Sequence, residues 1–305
     1  MEIIPLNGNV IKPNTVAAIG FFDGVHLAHE TLIKTMKAYA ETHSMSTAVI
    51  TFDVHPKAVL FDLPYRYITP LKKKLELIET HGIDTLYLIE FDEAKASMKP
   101  DAFIEQYLNR LDVIVCGFDF RFGHRGSGSV STLKNHPEIK TIVVDELTHD
   151  GYKIGSTHIR DLIMAGRVGE VKETLGRYHT VAGTVIEGAK KGREIGYPTA
   201  NIDTGDYLIP KQGVYASFTR RGKRWYPSMS TVGHNPTLNK RHDLSVESHL
   251  FDFDEIIYGE TIEIAFVERL RSEIAFDSAA ALIEQIKEDE RQTHGILKSK
   301  DFPLH

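Results

Sequence analysis

Several things are scarce in this sequence, and each scarcity removes a class of function. Cys116 is the only cysteine in 305 residues, which excludes an intrachain disulfide and a multi-cysteine zinc site. Its setting in DVIVCGF is apolar, so it reads as a buried strand position in a protein of a reducing compartment. No stretch supplies the roughly 18 consecutive apolar residues that a membrane-spanning helix needs. The opening MEIIPLNGNV lacks the basic and then apolar pattern of a secretory leader. A cytoplasmic protein with no membrane partner is expected. Basic residues are not in excess either, because 36 Lys and Arg stand against 42 Asp and Glu, for a formal charge of −6. A general affinity for nucleic acid would call for a basic face, so no nucleic-acid partner is expected, the short runs KKGR and TRRGKR notwithstanding. Internal repeats, low-complexity tracts and a P-loop string are also absent.

What is present fits a soluble chain of two domains. The composition is 42% apolar and 26% charged, and the length exceeds that at which one hydrophobic core usually keeps growing. Up to about residue 165, short apolar runs alternate with helical stretches, the pattern of a parallel sheet covered on both faces. The candidate strands are Val16 to Phe21, Ser46 to Phe52, Thr85 to Ile89, Val113 to Cys116 and Thr141 to Val144. Thr69-Pro70 offers a capping hydroxyl and a first-turn proline ahead of KKKLELIETHG, and Lys99-Pro100 opens AFIEQYLNRL similarly. After Gly176 the pattern changes to spaced strands with turn residues, which predicts an antiparallel, barrel-like second half. Arg220 to Lys223 reads as a hairpin turn with solvated charge. Asp277-Ser278 caps a terminal helix whose Ala279, Leu282, Ile283 and Ile286 follow one-stripe spacing.

Two constellations carry chemistry. In AAIGFFDGVHLAHETLI an apolar strand passes through Gly20, Phe22 and Gly24 into a helix, which puts His26 and His29 where strand carboxyl ends and helix N-termini receive phosphates. Alone, such a histidine pair is also compatible with ordinary helix surface. Far downstream, IGSTHIRDLIMAG supplies Ser156, Thr157 and Arg160 at another helix start, either a second phosphate clamp or a plain cap with a solvated arginine. The second constellation is GTVIEGAKKGREIGYPTANI, in which Gly188, Gly192 and Gly196 alternate with Lys190, Lys191 and Arg193. It suits a flap over a polyphosphate, or a glycine-rich hairpin with solvated charge.

GFFDGVHLAH, TFDVHP, GFDFRFGHRGSG and STHIRDLI, followed by PTAN, LIPKQGVYA, VGHNPT and VESHLFDF, resemble in order and spacing the prokaryotic bifunctional riboflavin kinase/FAD synthetase (FMN adenylyltransferase) family. The resemblance implies an α/β fold: a Rossmann-like nucleotidyltransferase domain over residues 1–178, then an antiparallel β-barrel riboflavin-kinase-like domain with a C-terminal helix over 179–305. It implies phosphorylation of riboflavin to FMN and adenylylation of FMN to FAD, with ATP as co-substrate, Mg2+ as cofactor and riboflavin, FMN and FAD as substrates and products. The partners are then small molecules, and the chain a monomer or weak homo-oligomer.

By the same resemblance Gly20, Phe22, Gly24, His26, His29, Ser156, Thr157 and Arg160 bind the ATP phosphates in the first domain, with His26, His29 and Arg160 also catalytic. Asp119 falls near the flavin, where its alternative is a loop-capping carboxylate. In the second domain Thr199 and Asn201 would hold Mg-ATP, and Glu247 is the general base for the ribityl hydroxyl, against the alternative of an outward strand carboxylate. Arg271 and Phe276 match a segment beside the flavin, or serve packing. The chain departs from the family pattern at Ala28 (usually glycine), at Gly155 (usually serine) and in LNKRHDLS after Thr237. These departures leave two further readings, a member with one activity only and a flavin-binding regulatory protein.

Overall fold

A computed structural model describes residues 1–7, 11–61, 64–188, 191–233 and 244–303. The segment from His234 through Thr237 and on to Asp243, together with Lys190, lies outside the described residues. The chain divides into two compact units, Met1–Ser156 and Thr157–His305.

The first unit is built on a parallel sheet of six strands among the described residues: β1 (Glu2–Pro5), β2 (Thr15–Ile19), β3 (Ser46–Phe52), β4 (Thr85–Ile89), β5 (Val113–Gly117) and β6 (Lys140–Val144), in the order β1-β4-β3-β2-β5-β6. The continuous apolar runs follow from two-sided burial. Ala17 and Ile19 of β2 enter one core with Ile50, Ile114 and Cys116, while Val16 and Ala18 enter another with Val49 and Val115. Burial pushes the Cys116 thiol up to about 11, so it is an inert core group, as its sequence setting suggests. Strand order reverses between β2 and β5, and the crevice at such a reversal is where open α/β sheets bind ligands. The helices that matter here are α1 (Leu27–His43), which follows β2, and α2 (Leu71–Glu79).

Two expectations for this unit change. The strand expected to run to Phe21, β2, ends at Ile19, because Gly20 onward turns away into the loop that precedes α1. Thr69 does not cap α2, whose N-cap is Pro70 with no side-chain bond. The Thr69 hydroxyl instead accepts the N–H of Gly24 at 2.9 Å. The edge strand β1 is too short, and too close to Pro5, to announce itself in the sequence.

The second unit begins one residue into α3 (Ser156–Ala165) and continues through α4 (Val168–Leu175). Six strands then close an antiparallel barrel: β7 (His179–Ile186), β8 (Ala200–Asp203), β9 (Gly213–Arg221), β10 (Arg224–Gly233), β11 (Ser245–Leu250) and β12 (Thr261–Arg271), ordered β7-β8-β11-β10-β9-β12. The β9–β10 hairpin turns at Gly222, φ +58°, as the charged run suggests. Val168 of α4 enters the barrel's apolar core with Val181, Ile202 and Phe266. Packing therefore groups α3 and α4 with the barrel, ahead of the 178/179 division suggested by the motifs.

Inside the barrel, Ser217, Thr219, Ser228, Ser230 and Ser248 are each no more than 1% exposed. They close a ring of hydroxyl contacts, 217–228 (2.9 Å), 228–219 (2.8 Å), 219–248 (2.8 Å), 248–230 (3.0 Å) and 230–217 (2.7 Å).

The terminal helix α5 (Ala279–Leu297) is capped by Ser278, which accepts from the Ala281 N–H at 3.2 Å. Its buried residues are Asp289, Thr293 and Leu297. The expected stripe at Ala279, Leu282, Ile283 and Ile286 is exposed or half-buried, because Leu282 and Ile286 face a cavity instead of a closed core.

Candidate active sites

In the first unit the turn from Gly20 to His26 leaves the carboxyl end of β2 in a tightly constrained form. Phe22 (φ +59°), Gly24 (φ +90°) and Val25 (φ +41°) all occupy the left-handed region, which non-glycine residues rarely adopt. The side chains of Phe22, Asp23, Val25 and His26 are buried. His26 is the N-cap of α1: the His29 N–H donates to His26 Nδ1 and the His26 N–H to His29 Nδ1, each at 3.4 Å. The two rings stack 3.6 Å apart. With Nδ1 accepting, a neutral imidazole carries its hydrogen on Nε2, so both histidines hold a donor on that edge at a helix N-terminus. The histidine pair is thus neither plain helix surface nor free of structural duty. Gly24 contributes its backbone conformation to the turn, and its N–H is directed to Thr69.

Ser156 Oγ donates to the Asp23 carbonyl at 2.8 Å, which ties the start of α3 to this turn. Thr157 and Arg160 follow on α3, exposed and half-buried respectively. Gly155 sits in open space, where an added Cβ would meet only Lys153 Cε at 3.8 Å. Asp119 is exposed at the end of β5 and forms an ion pair with Lys153, whose ammonium also lies 4.6 Å from the centre of the Phe118 ring.

In the second unit Gly192, Arg193, Thr199, Glu247, Arg271 and Phe276 line two cavities, whose walls do not include Gly188, Gly196 or Asn201. The larger, about 360 Å³, is lined by Arg193, Pro198, Thr199, Ser248, Phe253 and Tyr258 among others. The smaller, about 250 Å³, is lined by Tyr197, Thr199, Glu247, Arg271, Phe276 and Asp289 among others, with Gly192 also on its wall. Thr199 belongs to both. Its hydroxyl donates to Glu247 Oε2 at 3.0 Å. Strand alternation explains the arrangement: Val246, Ser248 and Leu250 of β11 point inward, while Glu247 and His249 point outward, and Glu247 lies opposite Asn201 across the β8–β11 pairing.

Asn201 is 5% exposed, and its Oδ1 accepts no hydrogen bond among the described residues. An orphaned buried carbonyl oxygen two residues along the chain from the Thr199 hydroxyl fits a hard divalent cation, which takes few protein oxygens and completes its shell with water and phosphate. No cluster of three or more His, Cys, Asp or Glu suited to a metal occurs among the described residues. Gly188 makes the arrangement possible, since a Cβ there would lie 2.3 Å from Asn201 Nδ2. At Gly192 a Cβ would meet the Tyr197 carbonyl oxygen at 2.2 Å, and Gly196 has φ +86°, so glycine is required at these points of the flap.

Arg271 stands in the smaller cavity with its guanidinium already engaged. Its Nε and Nη2 donate to Asp289 at 2.9 and 2.6 Å, and its Nη1 to the Ser272 carbonyl at 2.9 Å. Several contributors escaped the sequence reading. His249 Nδ1 lies 2.7 Å from the Pro198 carbonyl oxygen, and the Tyr197 hydroxyl donates to Glu290 at 3.2 Å, so both brace the PTAN loop. The place of His249 two residues after Glu247 on one strand face was the available signal. For Asp289, far off on α5, there was none.

Comparison with known proteins agrees with both halves. A family model for FAD synthetase matches residues 9–158 and one for riboflavin kinase matches residues 175–297. A bifunctional riboflavin kinase/FMN adenylyltransferase of Listeria monocytogenes is 40% identical, covering 92% of this chain and 91% of its own length. The protein of the same description from Bacillus subtilis is 38% identical, covering 92% of each. A solved Streptococcus pneumoniae structure described as a macrolide-efflux protein is 31% identical with a TM-score of 0.87, covering 96% of this chain and 99% of that one. No helix among the described residues is long and apolar enough to cross a membrane. Motifs, paired cavities and relatives over nearly the whole length agree: the chain belongs to the bifunctional riboflavin kinase/FMN adenylyltransferase family.

Proposed function

We propose that this chain makes flavin cofactors in two steps, phosphorylating riboflavin to FMN in its second half and joining FMN to AMP in its first. Thr199 carries the reading for the kinase, because one hydroxyl borders both cavities and touches the carboxylate of Glu247. ATP enters the larger cavity, with Arg193 and the glycine flap at its phosphates, and the ribityl chain of riboflavin enters the smaller. The reaction is then an in-line displacement. Glu247 takes the proton of the ribityl 5′-hydroxyl as that oxygen bonds to the γ-phosphorus and the bond to the ADP oxygen breaks. Thr199 and Asn201 would hold the magnesium ion, which neutralises polyphosphate charge when bound. Arg271, fixed by Asp289, lines the flavin side without surrendering its ion pair.

In the first half the FMN phosphate is already a nucleophile, so no strong base is required. It attacks the α-phosphorus of ATP, the bond to pyrophosphate breaks, and FAD forms. His26 and His29, donating from Nε2, and the amide end of α1 stabilise charge on the departing pyrophosphate. Ser156, Thr157 and Arg160 are assigned to the same triphosphate, and Asp119 to the flavin, on their sequence pattern. The domain division at 178/179, a cytoplasmic location and a monomeric or weakly associating state belong to the same proposal.

The test is two incubations of the pure protein with ATP and magnesium, one with riboflavin and one with FMN. FMN from the first and FAD from the second are expected. FAD absent from the second would leave a kinase only, FMN absent from the first an adenylyltransferase only, and flavin binding without turnover a regulatory protein.

A further inference from the structure

A buried lysine beneath the first site has no assigned part in this chemistry. Lys74, in the first half of α2, is 1% exposed, in a segment, KKKLELIE, that reads as an ordinary amphipathic helix. Its ammonium donates to the Phe52 carbonyl at 2.6 Å, the Phe21 carbonyl at 3.1 Å and Thr51 Oγ1 at 3.3 Å. It also lies 4.2 Å from the centre of the Phe21 ring. Three acceptors match the three hydrogens of a charged ammonium, whereas the neutral amine has only two to give.

These acceptors join the ends of two strands. Phe52 closes β3, and Phe21 begins the turn to His26. The Phe21 carbonyl receives Thr51 Oγ1 as well, at 2.9 Å, so both of its lone pairs are engaged and its peptide plane is fixed. The next residue, Phe22, carries the left-handed φ that starts the turn. The same helix entry grips the turn twice more: the Thr69 N–H donates to Asp23 Oδ1 at 3.1 Å, and Thr69 Oγ1 accepts from Gly24.

We propose that Lys74 is a positioning residue for adenylyl transfer, its ammonium locking the ends of β2 and β3 together and so fixing the strained Phe22–His26 turn that presents the phosphate-binding amides and histidines. The inference rests on the reading of that turn as the ATP site of the first half. Burial lowers the Lys74 pKa to about 7, and Asp23 and Asp53 oppose the fall. A cation held at this disadvantage destabilises the fold that contains it. An apolar residue of similar length would fill the space with less penalty, so the group is explained by the turn it holds and not by stability.

The experiment compares Lys74→Met in the full chain with the unaltered protein, assaying FAD formation from FMN and FMN formation from riboflavin in the same preparation. Met fills the volume and donates nothing. FAD formation is expected to lose at least tenfold in kcat/KM, with a raised KM for ATP, while the kinase rate and its KM for ATP stay within twofold. Thermal unfolding of the variant is expected at or above the temperature of the unaltered chain, which a merely structural lysine would not give. A second variant, Thr51→Val, keeps the strand shape and removes two of the bonds, and is expected to lose threefold to tenfold in FAD formation alone. Retention of FAD formation within twofold in Lys74→Met, or its loss together with a lowered unfolding temperature, would overturn the proposal. If the unaltered chain itself forms no FAD, the reading of the site fails, a result distinct from either.

Discussion

Thr199 donates its hydroxyl hydrogen to Glu247 Oε2 across 3.0 Å, so the residue proposed to meet the metal and the residue proposed to take the proton touch each other. Donation in that direction leaves the Thr199 oxygen its lone pairs for a cation. Nucleotide side and flavin side are joined through one bond.

Replacing Glu247 by glutamine keeps the size of the side chain and removes its basicity. FMN formation is expected to fall by roughly a hundredfold or more, the range of general-base contributions, with FAD formation from FMN unchanged. Steady-state assay of both products checks this, and a normal kinase rate would remove Glu247 from the role.

Gly188→Ala should act at a distance of one side chain. The new Cβ would fall 2.3 Å from Asn201 Nδ2 and 2.6 Å from its Cγ, too close for either to remain in place. A fall of roughly tenfold or more in kinase kcat/KM for ATP is expected, recoverable in part at high magnesium. Titration of activity against magnesium, with adenylylation as the internal control, reads the effect.

Gly155→Ser introduces the residue that the motif resemblance implies at this position. With only Lys153 Cε near, at 3.8 Å, the serine has room. FAD formation is expected to be unchanged or a fewfold faster, measured as pyrophosphate release. A tenfold loss would show that glycine at this position is needed.

His179 sets a pH dependence for the barrel. It is fully buried, with Nε2 2.8 Å from the Leu208 carbonyl oxygen, and burial lowers its pKa from 6.5 to about 4. Between these values the unfolded chain binds the proton and the folded one does not, so stability rises with pH across that window and is lost as pH falls from 6.5 toward 4. The full difference is on the order of 3 kcal/mol. Urea unfolding of the second unit followed from pH 7 to pH 4 should show this slope, and His179→Gln should flatten it.

The general plan was legible because it rests on local pattern. Ser46–Phe52 and Thr85–Ile89 occur as read, since strands buried on both faces read as nearly continuous apolar runs. The pairing of Thr199 with Glu247 could be expected only through family motifs, because it depends on β8 and β11 lying side by side across an intervening hairpin. Thr69 looked like a cap, since local sequence cannot reveal that a loop many residues earlier supplies its partner Gly24, and nothing in KKKLELIE marks Lys74 as buried. The stripe on α5 was misplaced for a related reason. Spacing shows which face is apolar, but not whether a core or a cavity lies beneath it.

Ser230→Ala probes the hydroxyl ring. It would deprive Ser248 of a donor and Ser217 of a hydroxyl partner at a fully buried position, so a loss of about 1–3 kcal/mol is expected in the unfolding of the second unit. Chemical denaturation against the unaltered chain measures it.

Each of the five buried hydroxyls in the barrel lies between two others. Ser230 donates to Ser248, and the hydroxyls of Thr219, Ser228 and Ser217 complete the contacts, Ser217 reaching the Ser228 carbonyl as well. Ser248 borders the larger cavity, so the wall on that side is held from behind by a closed circuit of hydroxyls.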